Sequence, residues 1–373
     1  MTTSEIPSLW KQVLKLLQSE DSSVNIEERR LHSIITDFPE LLRPLDDWIH
    51  SFEQAIQVSD EELYENVKSC ARKLSHTLAS NRSVSNQVID DRPIYWGRLM
   101  GQVLLQQRLR QGNLDSQIAT DTREAFEWNS RRVDYGSFAH ERRIVLTCFD
   151  PFMLDRNITQ CNPSAIIAYT IAQTLCPEYS INVLAFPVRF QDFDEDCVER
   201  MLKTLYFTNP SLVVTLSMGR KQFDLERFPG NRRSVKTLDN LNVCGIDGKK
   251  FPTCVAGAPS FLEFSLPAEA MKKAPGQWPV IDNRRVATER HTEFYPQSLA
   301  QLTSETAVQG SGGGFLSNEI SYRSILLQKR FGKSFPLGHL HVPKVNSFDT
   351  IQLQSMCNQA ESIIKLALKN SNN

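Results

Sequence analysis

Residues 143–149 read RIVLTCF, residues 164–175 SAIIAYTIAQTL and residues 181–188 INVLAFPV. The outer two runs are short, almost unbroken and rich in β-branched residues, the pattern of strands buried on both faces. The middle run is longer and carries its apolar residues at helical spacing. Strand, helix and strand in this order make a parallel crossover unit. The alternation continues with a helical DEDCVERMLKTLYF (194–207), a strand SLVVTLS (211–217), a helix SNEISYRSILLQKRF (317–331), a strand LGHLHVPKV (337–345) and a closing helix FDTIQLQSMCNQAESIIKLALKN (348–370). Such a pattern predicts a largely parallel sheet with helices on both faces. Functional residues then belong just beyond the C-terminal strand ends.

Upstream the pattern is helical throughout. SLWKQVLKLLQSE places Leu9, Val13, Leu16 and Leu17 on one face, and SDEELYENVKSCARKLSHTLAS opens with a capping box of Ser59 and Glu62. PIYWGRLMGQVLLQQRLRQGN has Pro93 in its first turn and stops at Gly112-Asn113. Residues 1–140 are therefore expected to form a helical domain and residues 141–373 an α/β domain. Trp10, Trp48, Trp96 and Trp128 are expected as core anchors.

A chain of 373 residues exceeds one ordinary core, which supports two domains. The 42 Lys and Arg against 43 Asp and Glu give a net charge of −1, with no electrostatic reason for a nucleic-acid or membrane partner. The basic cluster in residues 129–143 is interleaved with acids, as on a solvated surface. The eight cysteines form no C-x-x-C pair and no ligand-like group with the seven histidines, so no metal or cofactor is expected. Mostly placed among apolar residues, they read as reduced, and the amino terminus has no signal-like segment; a cytoplasmic location is expected.

GGGFLSN (312–318) crowds three glycines against a helix start, where unpaired N–H groups collect. Ser317 there is either a helix cap or a nucleophile beside oxyanion donors. His341, in GHLHVP (338–343), is either structural or a base. Glu226, followed by Arg227, is either half of a surface ion pair or the carboxylate that orients that base.

Taken together and in order, the segments resemble pyroglutamyl-peptidase I. Its T-G-F-x-P-F-G-G then N-P-S pattern is matched by Thr147, Phe149, Pro151, Phe152, Asn162, Pro163 and Ser164. P-V-x-F is matched by Pro187-Val188-Arg189-Phe190, and G-R…E-R…N by Gly219-Arg220, Glu226-Arg227 and Asn231. GAPSFLEFSLP (257–267) resembles the family's G-x-P-A…L-P stretch, GGGFLSN its A-G-x-[FY]-[VL]-C-N, and GHLHVP its G-F-I-H-V-P. The resemblance implies a three-layer α/β/α sandwich with a mainly parallel or mixed sheet, plus an extra N-terminal all-α region. It implies a hydrolase that removes N-terminal pyroglutamyl, or a related small acyl or lactam group, from peptides with a blocked amino terminus. The implied catalytic residues are Glu226, Ser317 and His341, the implied ring pocket Phe149, Phe152, Phe315 and Leu316, and the implied assembly a homo-oligomer.

The departures are specific. Ser317 stands where the family has cysteine, Cys148 where it has the glycine of T-G-F, and Met153-Leu154 where it has G-G. Residues 272–311 are longer than the corresponding family stretch. Two functions follow: a serine-dependent peptidase, or an inactive relative whose altered pocket binds a peptide or partner protein.

Overall fold

The computed structural model describes residues 7–18, 24–79, 88–112, 114–135, 140–246 and 251–370. The chain forms two compact units, one of residues 1–85, 90–133 and 153–160, the other of 86–89, 134–152 and 161–373.

The first unit is helical: Ser8–Gln18, Asp46–Ile56, Asp60–Ala79, Arg92–Gln111 and Ser116–Asn129 are its longer helices. Trp10, Trp48 and Trp96 are buried, whereas Trp128 is half-buried. Trp48 stacks on Phe52 at 5.2 Å and donates its indole N–H to the Cys70 carbonyl, so the ring contributes apolar area without orphaning its polar atom. The expected Ser59 box is not formed: the Ser59 hydroxyl donates to the Glu62 carboxylate instead of accepting a backbone N–H. A reciprocal box forms at Asn25 and Glu28, which the sequence reading passed over. Gly112 caps the helix Arg92–Gln111, and Asn113 lies outside the described residues.

The sheet is built from β1 (Arg132–Tyr135), β2 (Arg143–Phe149), β3 (Ser180–Phe186), β4 (Leu212–Met218), β5 (Phe223–Glu226), β6 (Val280–Asn283) and β9 (Leu337–Val342); β7 (Ala287–Thr288) and β8 (Ala307–Gln309) pair separately. Strand order is β1-β3-β2-β4-β9-β5-β6. β3, β2, β4 and β9 run parallel, and their interiors are almost wholly buried, which explains the unbroken apolar runs. β5 reverses against β9 and pairs parallel to β6, so the sheet is mixed. The chain crosses from β2 outward to β3 through the helix Pro163–Leu175 and returns to β4 through Cys197–Phe207. Right-handed crossovers in opposite directions place these helices on opposite faces. Thr350–Asn370 packs with the first and Leu316–Arg330 with the second, giving helix, sheet and helix layers. The run 194–207, expected as one helix, is broken at Asp196, whose φ of 58° is left-handed.

Glu319 fastens the layer that carries the helix Leu316–Arg330. Fully buried, it accepts from Arg233 Nε at 2.6 Å and Nη2 at 2.9 Å and from Arg323 Nε at 2.8 Å. Arg233 also reaches Asp194 and Arg323 also reaches Glu199, so losing Glu319 costs toward the lower end of the about 3–5 kcal/mol typical of a broken buried pair. Glu319→Ala is therefore expected to lower unfolding free energy by about that amount, read from the urea midpoint at unchanged slope.

Candidate active site

β4 and β9 lie side by side with Ser217 opposite His341 and Thr215 opposite His339. On the other edge of β9, the antiparallel β5 sets Asp224 opposite His341, so Glu226 reaches the imidazole along the diagonal. His341 Nδ1 lies 2.5 Å from Glu226 Oε1. The second carboxylate oxygen accepts from Asn283 Nδ2 at 2.8 Å, and the same amide group donates to the Ser311 carbonyl at 3.0 Å. Glu226 is 1% exposed. Burial pushes its carboxyl above the usual range, and the neighbouring His341 opposes the shift. The Glu226–Arg227 surface pair is thereby excluded, because Arg227 turns to Asp282 and Glu263. With Nδ1 committed to the carboxylate, Nε2 of a neutral His341 carries the lone pair. Among the described residues it makes no hydrogen bond.

Ser317 is the second residue of the helix Leu316–Arg330 and does not cap it; the N-cap position belongs to Phe315, whose side chain makes no capping bond. Its hydroxyl donates to the Gly312 carbonyl at 3.3 Å. No hydrogen bond joins Ser317 to His341 among the described residues. The glycines answer to geometry: Gly313 sits at φ 89°, and a Cβ on Gly314 would stand 2.0 Å from Ser234 Oγ. Asn318 ties the loop down, exchanging both amide hydrogen bonds with the Gly230 backbone. As at any helix start, the first N–H groups lack carbonyl partners. Asn318 N is taken by the Phe315 carbonyl, which leaves Leu316 N and Ser317 N without a carbonyl partner among the described residues.

Beside Ser317 opens a cleft of about 300 Å³, part of it solvent. Phe149, Phe152, Phe315 and Leu316 all line it, with Asn162, Val188, Ser217 and Met218. Phe152 and Phe315 stack at 6.3 Å, and Phe190 props Phe315 edge-on at 5.4 Å. Asn162 is occupied in holding the turn, donating to the Asp150 carbonyl and accepting from Ser164. His341 and Glu226 are not among the lining residues. The structure thus joins two of the three expected catalytic side chains and seats the third in the expected ring pocket, one strand away.

Asn283 and Ser217 went unread as site residues. Asn283 lies inside the long stretch 272–311, where one amide among polar residues carries no signal. Ser217 closes the strand run SLVVTLS, where a terminal serine carries no signal, and its partner His339 stands where G-F-I-H-V-P has phenylalanine.

Residues 276–346 match a family model described as the PA0049 C-terminal domain. The protein PA0049 of Pseudomonas aeruginosa is 24% identical, over 70% of this chain and 65% of its own length. The chain therefore spans less than two thirds of that relative. Among solved structures, pyrrolidone carboxyl peptidase from Thermococcus litoralis is similar at 19% identity, covering 61% of this chain and 94% of that one with a TM-score of 0.43. A point mutant of the Pyrococcus furiosus enzyme matches at 18% identity over 61% of this chain and 99% of its own, also with a TM-score of 0.43. No helix among the described residues is long and apolar enough to cross a membrane.

His339 is fully buried, and burial together with His341 depresses its basicity well below the ordinary range. Unfolding at acid pH therefore takes up a proton that the folded state refuses. Stability from this group is complete above pH about 6.5 and falls as pH drops below it, by up to about 1.4 kcal/mol per unit. His339→Phe is expected to have a shallower acid limb than the parent in urea melts from pH 7.5 to 5.

Proposed function

We propose that the chain is a serine-dependent hydrolase of the pyroglutamyl-peptidase type, cleaving an N-terminal pyroglutamyl or related small acyl or lactam group from a peptide. The supporting observation is the buried Glu226–His341 pair, its carboxylate fixed by Asn283 and its imidazole left with a bare Nε2. An oriented imidazole with a free lone pair is what a hydroxyl nucleophile requires, because a serine must lose its proton during attack. The six sequence blocks in family order support the same reading.

In this mechanism Ser317 turns its hydroxyl from Gly312 toward His341. Oγ attacks the acyl carbon and its proton passes to Nε2. The N–H groups of Leu316 and Ser317 stabilise the oxyanion. Collapse breaks the C–N bond, and the imidazolium returns the proton to the leaving amine. Water, activated by the same imidazole, then hydrolyses the ester. The lactam ring lies between Phe152 and Phe315, whose apolar faces suit a small neutral ring.

A second reading, an inactive peptide- or partner-binding module, is favoured by the hydrogen bond that holds Ser317 on Gly312 instead of His341. A fluorogenic pyroglutamyl amide separates the two. The parent is expected to release the fluorophore, with Ser317→Ala and His341→Ala each reducing kcat/KM on the order of 1,000-fold. Turnover that survives Ser317→Ala removes Ser317 as nucleophile. A silent parent beside an active Ser317→Cys variant marks the site as dormant and favours the second reading.

A further inference from the structure

A second hydroxyl lines the cleft. Ser217, at the end of β4, is 4% exposed and lies with its Oγ 2.8 Å from His339 Nε2. On its other side His339 Nδ1 is 2.8 Å from Thr215 Oγ1, and that hydroxyl is 3.3 Å from the Gly338 carbonyl. Thr215 and His339 have no exposed surface.

This four-membered chain has a direction. Its inner end is a carbonyl, which can only accept. Thr215 has one proton, and giving it to Gly338 obliges Thr215 Oγ1 to accept from His339 Nδ1–H. Nε2 of the neutral ring is then bare and must accept the proton of Ser217. The reverse order turns Thr215 toward Nδ1 and leaves two oxygens facing each other at 3.3 Å with no hydrogen between them. The first order is the one that keeps the Thr215–Gly338 contact as a hydrogen bond. A protonated His339 would also reverse Ser217, but the ring is buried between two hydroxyls with no carboxylate bonded to it.

We infer that Ser217 is a specificity residue of the cleft, held by Thr215 and His339 so that its oxygen offers only lone pairs to the ligand, and that it selects ligands whose ring carries an N–H donor. The inference rests on the lactam reading above and deepens it: the preferred substrate has a free ring N–H, and rings with methylene or N-alkyl in that place are rejected. Ser217 is not a second nucleophile. Its proton would have to go to His339, and the resulting buried imidazolium would have His341 for a neighbour at 4.9 Å between ring centroids and no anion hydrogen-bonded to it.

The test compares two probes by calorimetric or NMR titration, so that it does not depend on turnover. L-Pyroglutamamide carries the ring N–H; 3-oxocyclopentane-1-carboxamide has CH₂ in its place. One neutral hydrogen bond predicts that the parent prefers the lactam about tenfold. Ser217→Ala is expected to bring the two probes near parity. Thr215→Val frees the relay to reverse and is expected to lower the preference, whereas Thr215→Ser retains it, an outcome that loss of packing alone does not produce. A preference undiminished in Ser217→Ala, or parity in the parent, overturns the assignment while leaving the lactam reading intact. Failure of the parent to bind either probe overturns both. Independently of any ligand, ¹⁵N-detected imidazole spectra of the parent are expected to show His339 protonated on Nδ1, and a proton on Nε2 sinks the inference.

Discussion

A carboxylate with no access to water governs the architecture of this α/β unit. Glu226 is surrounded on both oxygens, by His341 on one and Asn283 on the other, and neither contact survives without the unusual edge of the sheet. A parallel strand beside β9 would carry its terminal side chains away in the same direction as His341. The reversed β5 brings Glu226 back along the diagonal to the imidazole, and β6 then delivers Asn283 to the remaining oxygen. The stretch 272–311 is therefore part of the site's framework. It supplies the amide that holds the carboxylate bonded to His341.

A second buried carboxylate does equivalent work one layer away. Glu319 binds Arg233 and Arg323, while Asn318 beside it grips the Gly230 backbone. Two consecutive residues thereby lock the helix that starts at Leu316 onto the segment 228–234, directly downstream of Glu226. The cleft, the helix end and the acid–base pair share one set of anchors. Their relative positions leave Ser317 facing the ring pocket, with its hydroxyl resting on a loop carbonyl.

The central strands β2, β3 and β4 were legible because they are buried on both faces and their sequences show it as nearly continuous apolar runs; β9, also read as a strand, carries Gly338, His339 and His341 among its apolar residues. β5 and β6 escaped notice for the opposite reason. Phe223-Asp224-Leu225-Glu226 and Val280-Ile281-Asp282-Asn283 are four-residue strands whose acids look like loop chemistry until their partners are known. Ser317, His341 and Glu226 were found through motif order rather than through any property of the three alone. Residue chemistry alone left Glu226 open between a surface pair and an orienting acid; burial and the course of Arg227 exclude the surface pair. The break at Asp196 left no apolar signature, since the helical pattern runs straight through it.

The absence of cysteine from the cleft wall has a practical corollary. Seven of the eight cysteines are buried or half-buried, Cys244 alone is exposed, and none belongs to the lining. Peroxide, which oxidises thiolates through sulfenic to sulfinic and sulfonic acids, finds no thiol in that lining; its target there is the Met218 thioether. Alkylating agents that seek exposed thiols would mark Cys244 and find none in this cleft.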